Sequence, residues 1–455
     1  MYFFVTSIGL LISMTCLGQL PKAQDIVSKM SVGWNMGNTL EAICGETAWG
    51  GAITTQTLID SVKAAGFNAV RLPCAWFCHS DTNTNVIDES WLSRVKEIVN
   101  YCINDSLYVI INIHWDGGWL ENNVTKAAQV RVNARQNAYW TQIANYFNDC
   151  DEHLLFASAN EPNVSDTTGM SVLLSYHQTF IDAVRATGGN NSSRSLVIQG
   201  PSTDIDKTNT LMNKMPVDQI ADRLIVEVHY YTPYQFCLMT ADASWGKMFY
   251  YWGKGNHSTT DVTRNATWGE ESDVEKYFGE MKTKFVDKGI PVIIGEFSAM
   301  KRNLSPPSDQ ALNIASVNYY YKYIEHSAIS KKIVPFCWDT NMGLFNRSTG
   351  AILDHEIIDA MMQGARDTST TSITSINSNI ELYPNPFSSS FNLKVGNYSN
   401  IVRISIFDML GHQVETIEHS AVNSSLTIGF SLKPNIYIVH IYGASWTKSF
   451  EVVKI

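Results

Sequence analysis

The chain has 455 residues, 45% of them hydrophobic and 17% charged, with a formal net charge of −10. At about 100 to 200 residues per domain this length suits two or three domains, and the composition excludes disorder, collagen and coiled coil. The acidic balance and the lack of a long Lys/Arg run exclude the footprint of a nucleic-acid or anionic-membrane binder; 12 Trp and 20 Tyr exceed what a core this size needs and hint at faces that stack on sugars.

From the N-terminus, Tyr2 to Leu17 is the one long apolar run. It is too short and too interrupted by Ser, Thr and Gly to span a bilayer. It reads as an export signal over residues 1–23, cleaved after Gly18 or Ala23, with the α-amino group as its only positive end. Lipidation of Cys16 is an alternative, for which Ser13-Met14-Thr15 is a poor approach. The other cysteines (Cys44, Cys74, Cys78, Cys102, Cys150, Cys237 and Cys337) are scattered and odd in number, unlike a disulfide framework or a zinc ribbon. They read as small apolar core residues, with room for one local bridge.

Over 24–364 the pattern alternates short apolar β-rich runs with longer amphipathic stretches, which predicts a parallel sheet covered by helices. Eight strands are expected: Ser31 to Met36, Asn68 to Leu72, Tyr108 to His114, Leu154 to Asn160, Leu196 to Gly200, Leu224 to Tyr230, Pro291 to Phe297 and Ile333 to Trp338. Runs such as Val109-Ile110-Ile111 are apolar on both faces, as strands packed inside and out must be. The expected fold is α/β, a closed (β/α)8 TIM barrel. Residues 365–379 are almost all Ser, Thr, Asn and Ile and read as a linker.

Residues 380–455 alternate apolar and polar over Phe391 to Val395, Val402 to Phe407, Ser425 to Ile428, Ile436 to Ile441 and Phe450 to Val453, the pattern of a small antiparallel β-sandwich. Leu382-Tyr383-Pro384-Asn385-Pro386-Phe387, Ile406-Phe407-Asp408-Met409-Leu410-Gly411 and the final Val452-Val453-Lys454-Ile455 resemble the C-terminal sorting domain of the type IX secretion pathway. That resemblance implies export, with release or surface attachment, and an outer-membrane secretion machinery as partner. The alternative, a carbohydrate-binding sandwich, is weak because the tail holds one tryptophan, Trp446.

In such a barrel the chemistry sits at the C-terminal ends of the strands. Six expected strands end in usable groups: Arg71, His114, Asn160-Glu161-Pro162, His229-Tyr230-Tyr231, Gly295-Glu296-Phe297 and Trp338-Asp339. A single carboxylate at a strand end is usually structural; six convergent endings point to a site. Glutamates on strands four and seven face each other across a barrel mouth, as a retaining glycosidase requires. Asn160 suits the hydroxyl beside the anomeric carbon, so Glu161 is assigned acid/base and Glu296 nucleophile. Arg71 and Tyr231 would hold Glu296 by hydrogen bonds. Glu227, two residues before His229 on the same strand face, reads as an inward member of a structural network.

The motifs Gly33-Trp34-Asn35-Met36-Gly37-Asn38-Thr39-Leu40, Glu46-Thr47-Ala48-Trp49-Gly50, Gly66 to Pro73, Ile113-His114-Trp115-Asp116, Asn160-Glu161-Pro162, His229-Tyr230-Tyr231 and Gly295-Glu296-Phe297 resemble glycoside hydrolase family 5, closest to its bacterial cellulases. The resemblance implies Arg71, His114, Asn160, His229, Tyr231 and Trp338 around the two glutamates, with Trp34, Asn38 and Trp115 as further substrate contacts. Trp115 stands where many relatives have a second His, which suggests a stacking or wall role. The stretch from Tyr231 to Glu271 carries Tyr234, Phe236, Trp245, Phe249, Tyr250, Tyr251, Trp252 and Trp268, which with Trp34, Trp49, Trp119 and Trp338 are candidates for sugar subsites.

Neither metal-ligand spacing, a phosphate loop nor a G-x-S-x-G elbow is present, so no metal and no cofactor is expected. The expected protein is a secreted, monomeric, retaining endo-β-1,4-glucanase acting on a β-linked polysaccharide, cellulose or a related glucan. The alternatives are a mannanase or xyloglucanase with the same machinery, and a non-catalytic sugar-binding protein, against which the intact glutamate pair argues.

Overall fold

The computed structural model of the protein describes residues 19–368, 380–395, 401–408, 412–418, 425–443 and 447–455. The apolar run from Tyr2 to Leu17, Cys16, most of the expected linker, Met409 to Gly411 and Trp446 lie outside the described residues. The chain divides into two compact units, residues 1–370 and 371–455.

In the first unit eight parallel strands close on themselves in chain order: β1 Gly33–Met36, β2 Ala69–Leu72, β3 Tyr108–Asn112, β4 Leu154–Ala157, β5 Leu196–Gln199, β6 Leu224–Tyr230, β7 Val292–Phe297 and β8 Ile333–Asp339. The barrel closes between β8 and β1, where Asn35 lies opposite Trp338. Each expected run holds one strand. β3 and β4 stop short of His114 and Asn160 because the chain leaves the ladder at the mouth. There the Ala159 N–H donates to the Gln199 side chain at 2.8 Å instead of to a strand.

Alternation sorts the side chains into two layers. Ala69, Ile110, Leu155, Val197, Ile225, Ile293, Val334 and Phe336 fill the barrel interior together with Ala23, Ile26, Val27 and Met30. Their odd-even partners, among them Val70, Val109, Leu154, Val226 and Ile294, pack against the surrounding helices. The helix Glu89–Asn104 shows the matching stripe, burying Trp91, Leu92, Val95, Ile98, Val99 and Cys102 at the 3.6-residue period.

The short helix Ala23–Val27 contributes to the interior cluster from the N-terminal side. Leu20 N–H donates to Ser193 Oγ at 3.0 Å and Ala23 N–H to the Asp222 carbonyl at 2.9 Å. A cut after Gly18 keeps these contacts; a cut after Ala23 removes them.

At the other end of this unit the helix His355–Thr368 runs past residue 364, so the expected linker starts too early. Gly364 lies inside this helix. A Cβ there would meet the Lys322 carbonyl at 2.2 Å, so glycine permits close packing on the helix Pro307–Ser330. Asp367 then pairs with Lys322 at 3.1 Å.

Five of the seven described cysteines are buried. Cys44 and Cys78 are the exceptions. They stand in the loops after β1 and β2, all seven are free, and burial with the neighbouring Cys44 thiol pushes Cys78 up to about 12.

The second unit has a three-stranded sheet, β9 (Ile380–Tyr383), β10 (Phe391–Val395) and β13 (Ser425–Ile428), in the order β13-β10-β9. A four-stranded sheet, β11 (Ile401–Asp408), β12 (Gln413–Glu418), β14 (Asn435–Gly443) and β15 (Thr447–Lys454), runs in the order β12-β11-β14-β15. All pairings are antiparallel. Phe391, Leu393 and Ile428 of one sheet share a buried cluster with Ile404, Ile406, Val439, Ile441 and Val452 of the other, the core of a sandwich.

Candidate active site

Above the apolar interior layer the inward side chains turn polar: Asn35, Arg71, Asn112, Gln199 and Glu227 are all 0% exposed. Arg71 is the hub. Its Nη1 donates to Glu296 Oε1 and to Asn35 Oδ1, both at 3.0 Å, its Nη2 donates to Asn160 Oδ1 at 2.7 Å, and its Nε lies 2.9 Å from Glu227 Oε1. A guanidinium removed from water needs partners on every edge.

Glu227 and His229 lie on β6 with the inward parity of Ile225. Glu227 accepts from Gln199 Nε2 at 2.6 Å and meets His229 Nε2 at 3.2 Å. Burial pushes this carboxyl up, but the charges of Arg71 and His229 with the hydrogen bonds of His229 and Gln199 outweigh it and hold Glu227 below its ordinary range. Burial works against the His229 imidazolium too, yet the charge of Glu296 and hydrogen bonds to Glu161 and Glu227 raise its pKa to about 10. His229 is therefore a cation at neutral pH, donating from both ring nitrogens.

Glu296 reaches the mouth through an irregularity. Simple alternation from Ile293 would aim Gly295 inward and Glu296 outward. The β6–β7 register shifts instead, with Val228 opposite Ile294 but His229 opposite Glu296, so Gly295 is the extra residue of a bulge that re-aims the next side chain. Glycine is required there because a Cβ would lie 1.9 Å from Glu227 Oε1.

Tyr231 Oη donates to Glu296 Oε2 at 2.8 Å. Glu161, just beyond β4, meets His229 Nδ1 at 2.8 Å, and the same nitrogen lies 3.8 Å from Glu296 Oε2. One carboxylate oxygen of Glu161 lies within 4.8 Å of one of Glu296.

The two glutamates differ in access. The Glu161 side chain is 45% exposed and the Glu296 side chain 8%. Burial raises Glu296 against the opposing charges of His229 and Arg71 and the Tyr231 hydrogen bond. For Glu161 the hydrogen bond and charge of His229, with Arg71 behind, outweigh burial and hold it below the usual range. Two cations, Arg71 and His229, stand among three carboxylates, so one carboxylate lacks a full counter-charge.

The other expected contacts divide. Trp338, half-buried at the end of β8, stacks on His114 at 5.8 Å and 11°; Gly37 makes room for it, since a Cβ there would meet the Trp338 ring at 2.7 Å. His114 is held neutral, its pKa driven well below the ordinary value by burial and the charges of Arg71 and His229. Trp115 stands 44% exposed beyond β3. Asn38 is half-buried, and its main-chain N–H donates to buried Glu41.

Trp34 is a correction. It is 0% exposed, because Gly33 and Asn35 take the inward positions of β1 and Trp34 falls on the outer face. There it meets Phe345 and Arg347, and its Nε1 donates to Asp339 Oδ2 at 2.9 Å, so it offers no face to a sugar. Trp119 is likewise buried, donating to Asp116 Oδ2 at 2.8 Å. In the long segment after β6, Phe236, Phe249, Tyr251 and Trp252 are core, whereas Tyr234, Trp245 and Trp268 are exposed. Trp268 joins Glu161, His229, Tyr231 and Ser202 in lining a cavity of ≈ 330 Å³.

Sequence reasoning left out Asn35, Gln199 and Glu121. The first two carry the inward parity of β1 and β5, a signal that was available. Glu121 lies in the loop after β3 and no periodicity marks it. Glu161, His229 and Glu296 each bring one potential ligand atom within 4.8 Å of the others, and both His229 nitrogens are engaged by carboxylates, Nδ1 by Glu161 and Nε2 by Glu227.

The family model described as Cellulase (glycosyl hydrolase family 5) matches residues 31–343, and that of the Secretion system C-terminal sorting domain matches residues 381–454. A xyloglucan-specific endo-β-1,4-glucanase of Bacteroides ovatus is 35% identical over 359 residues, 74% of this chain and 68% of that protein. Endoglucanase B of Clostridium cellulovorans is 34% identical over 370 residues, 76% of this chain and 77% of that protein. Among solved structures, a family 5 xyloglucan-specific β-1,4-glucanase from a ruminal metagenomic library is 43% identical, with 76% of this chain and 96% of that one covered and a TM-score of 0.70.

Proposed function

The chain belongs to glycoside hydrolase family 5 and is a glycoside hydrolase with endoglucanase activity; from that premise we propose that it cleaves β-1,4-glucan with retention, using Glu296 as nucleophile and Glu161 as acid/base. One observation carries the reading: the two carboxylates approach within 4.8 Å around a shared His229 nitrogen. Retaining enzymes need carboxyl groups about 5 to 5.5 Å apart, whereas inverting ones leave room for a water.

Arg71 and Tyr231 aim the Glu296 oxygens at the anomeric carbon. In the open cleft the charge balance favours a proton on buried Glu296. Glu161 has most of the remaining exposure, so a bound sugar desolvates it far more than Glu296 and raises its affinity for that proton. Glu161 then protonates the leaving oxygen while Glu296 bonds to the sugar. The ester carries no charge, which lowers the Glu161 pKa for its second role, deprotonating the water that releases the product. Neutral His114 and the Trp338 face border the sugar, and the Asn160 amide, fixed by Arg71, faces the adjacent hydroxyl.

Xyloglucan is the second reading of the substrate, favoured because the Bacteroides ovatus relative and the metagenomic enzyme both act on it. The sorting domain indicates export. We extend this to a monomer that enters the envelope by its N-terminal signal and is delivered by the outer-membrane machinery. Reducing-sugar release from carboxymethylcellulose, lichenan, xyloglucan and mannan tests substrate and role together. Glu296→Gln is expected to lose release on every substrate the parent hydrolyses; parental rates in that variant would contradict the nucleophile.

A further inference from the structure

The acid/base residue stands past the end of its strand, where no ladder fixes it, and its main chain is held from another loop. Glu121, in the 3-10 turn Glu121–Asn123 after β3, reaches across with its carboxylate: Oε1 accepts the Glu161 N–H at 2.6 Å. The carbonyl of the same residue accepts the Asn163 N–H at 3.0 Å. Glu121 thus grips the chain on both sides of Pro162. From the opposite side Ser202 N–H donates to the Pro162 carbonyl at 2.8 Å. Glu121 is 6% exposed, in a position the proposed reaction does not use.

We infer that Glu121 is a positioning residue for catalysis, holding the main chain of Glu161 so that its carboxyl reaches the leaving oxygen. The inference rests on the acid/base reading of Glu161. A carboxylate is suited to this because the group it holds is an N–H donor. Asn160 has an anchor of its own, Arg71 Nη2 at 2.7 Å, so loss of Glu121 frees Glu161 first.

The titratable groups that act on Glu121 are the carboxyls of Glu161, just beyond β4, and of Glu296 on β7. Burial, with these two carboxyls and against the N–H of Glu161 and the amide of Asn160, brings its pKa to about 7. Ionised Glu121 raises the proton affinity of Glu161, so its removal moves the basic limb of activity to lower pH.

The test compares kcat/KM on the polysaccharide, whose leaving group needs protonation, with kcat/KM on an activated aryl cellobioside, whose leaving group does not. The ratio of the two is independent of how much enzyme is folded. Glu121→Ala is expected to lower the polysaccharide value about 10²-fold, as a displaced catalytic group does, and the aryl value much less. Glu121→Gln, which keeps a carbonyl acceptor and the volume, is expected to recover most of the rate while its basic limb shifts to lower pH. Equal losses on both substrates in Glu121→Ala, or an unmoved limb in Glu121→Gln, overturn the inference. Glu161→Ala in the same panel separates the two readings: if it too fails to discriminate, the acid/base assignment has failed; if it discriminates and Glu121→Ala does not, only the positioning role has.

Discussion

Glu227 at the barrel mouth and Glu325 on the helix Pro307–Ser330 are both 0% exposed, and they reach opposite charge states. Glu227 has Arg71, His229 and Gln199 on its oxygens and stays ionised. Neither Glu325 oxygen has a hydrogen-bond partner, and burial alone drives its pKa well above the carboxylate range. Equal desolvation thus gives an anion or a neutral acid according to what the neighbours donate. Polar partners converge on the mouth, so one region binds and reacts while the other merely tolerates a polar group.

Changes at the mouth should test this contrast hardest. Replacing Glu227 with Leu strips Arg71 of its Nε partner and His229 of one acceptor, leaving buried cations uncompensated. The expected cost is about 3–5 kcal/mol in denaturant unfolding, with activity lost alongside. A change under 1 kcal/mol would mean the network is not holding these charges.

The same network sets an alkaline limit. The His229 pKa rises on folding from about 6.5 to about 10. Its contribution to stability is therefore complete below the unfolded value and is lost as pH rises through the folded one. Unfolding free energy measured from pH 6 to 10 should fall over this window in the parent and be flatter in His229→Gln.

At Glu325 the sign reverses. An acid whose folded pKa is raised destabilises the fold above its unfolded value near 4.3, and the penalty grows until the folded value is passed. Glu325→Leu should therefore stabilise the protein at pH 7 by about 1–3 kcal/mol and by less at pH 4, measured as paired denaturation curves. The smallest expected effect is at Trp34. Trp34→Phe should cost about 1 kcal/mol through the lost Asp339 hydrogen bond and leave KM unchanged, since the ring faces the helices and not the sugar.

Sequence periodicity was enough to place all eight barrel strands, because strands buried on both faces are apolar throughout and their endings stand out. The finer reading failed where parity had to be followed residue by residue. Asn35 takes the inward position, so its neighbour Trp34 cannot. Glu296 departs from simple parity, and only the Gly295 bulge brings it in. In the tail β9 and β12 escaped notice: β9 is four residues ending before Pro384, and β12 is an edge strand whose Val414 is 44% exposed, so neither carries a full apolar face. Glu121 was invisible for another reason. Its role depends on a contact 40 residues away that local pattern cannot encode.

Proton NMR of the first product released from a β-1,4-glucan oligosaccharide tests the glutamate pair most directly. Carboxylates this close leave no room for an attacking water between sugar and Glu296, so the newly formed reducing end should appear first as the β-anomer and mutarotate afterwards. An α-anomer as the initial product would contradict the account.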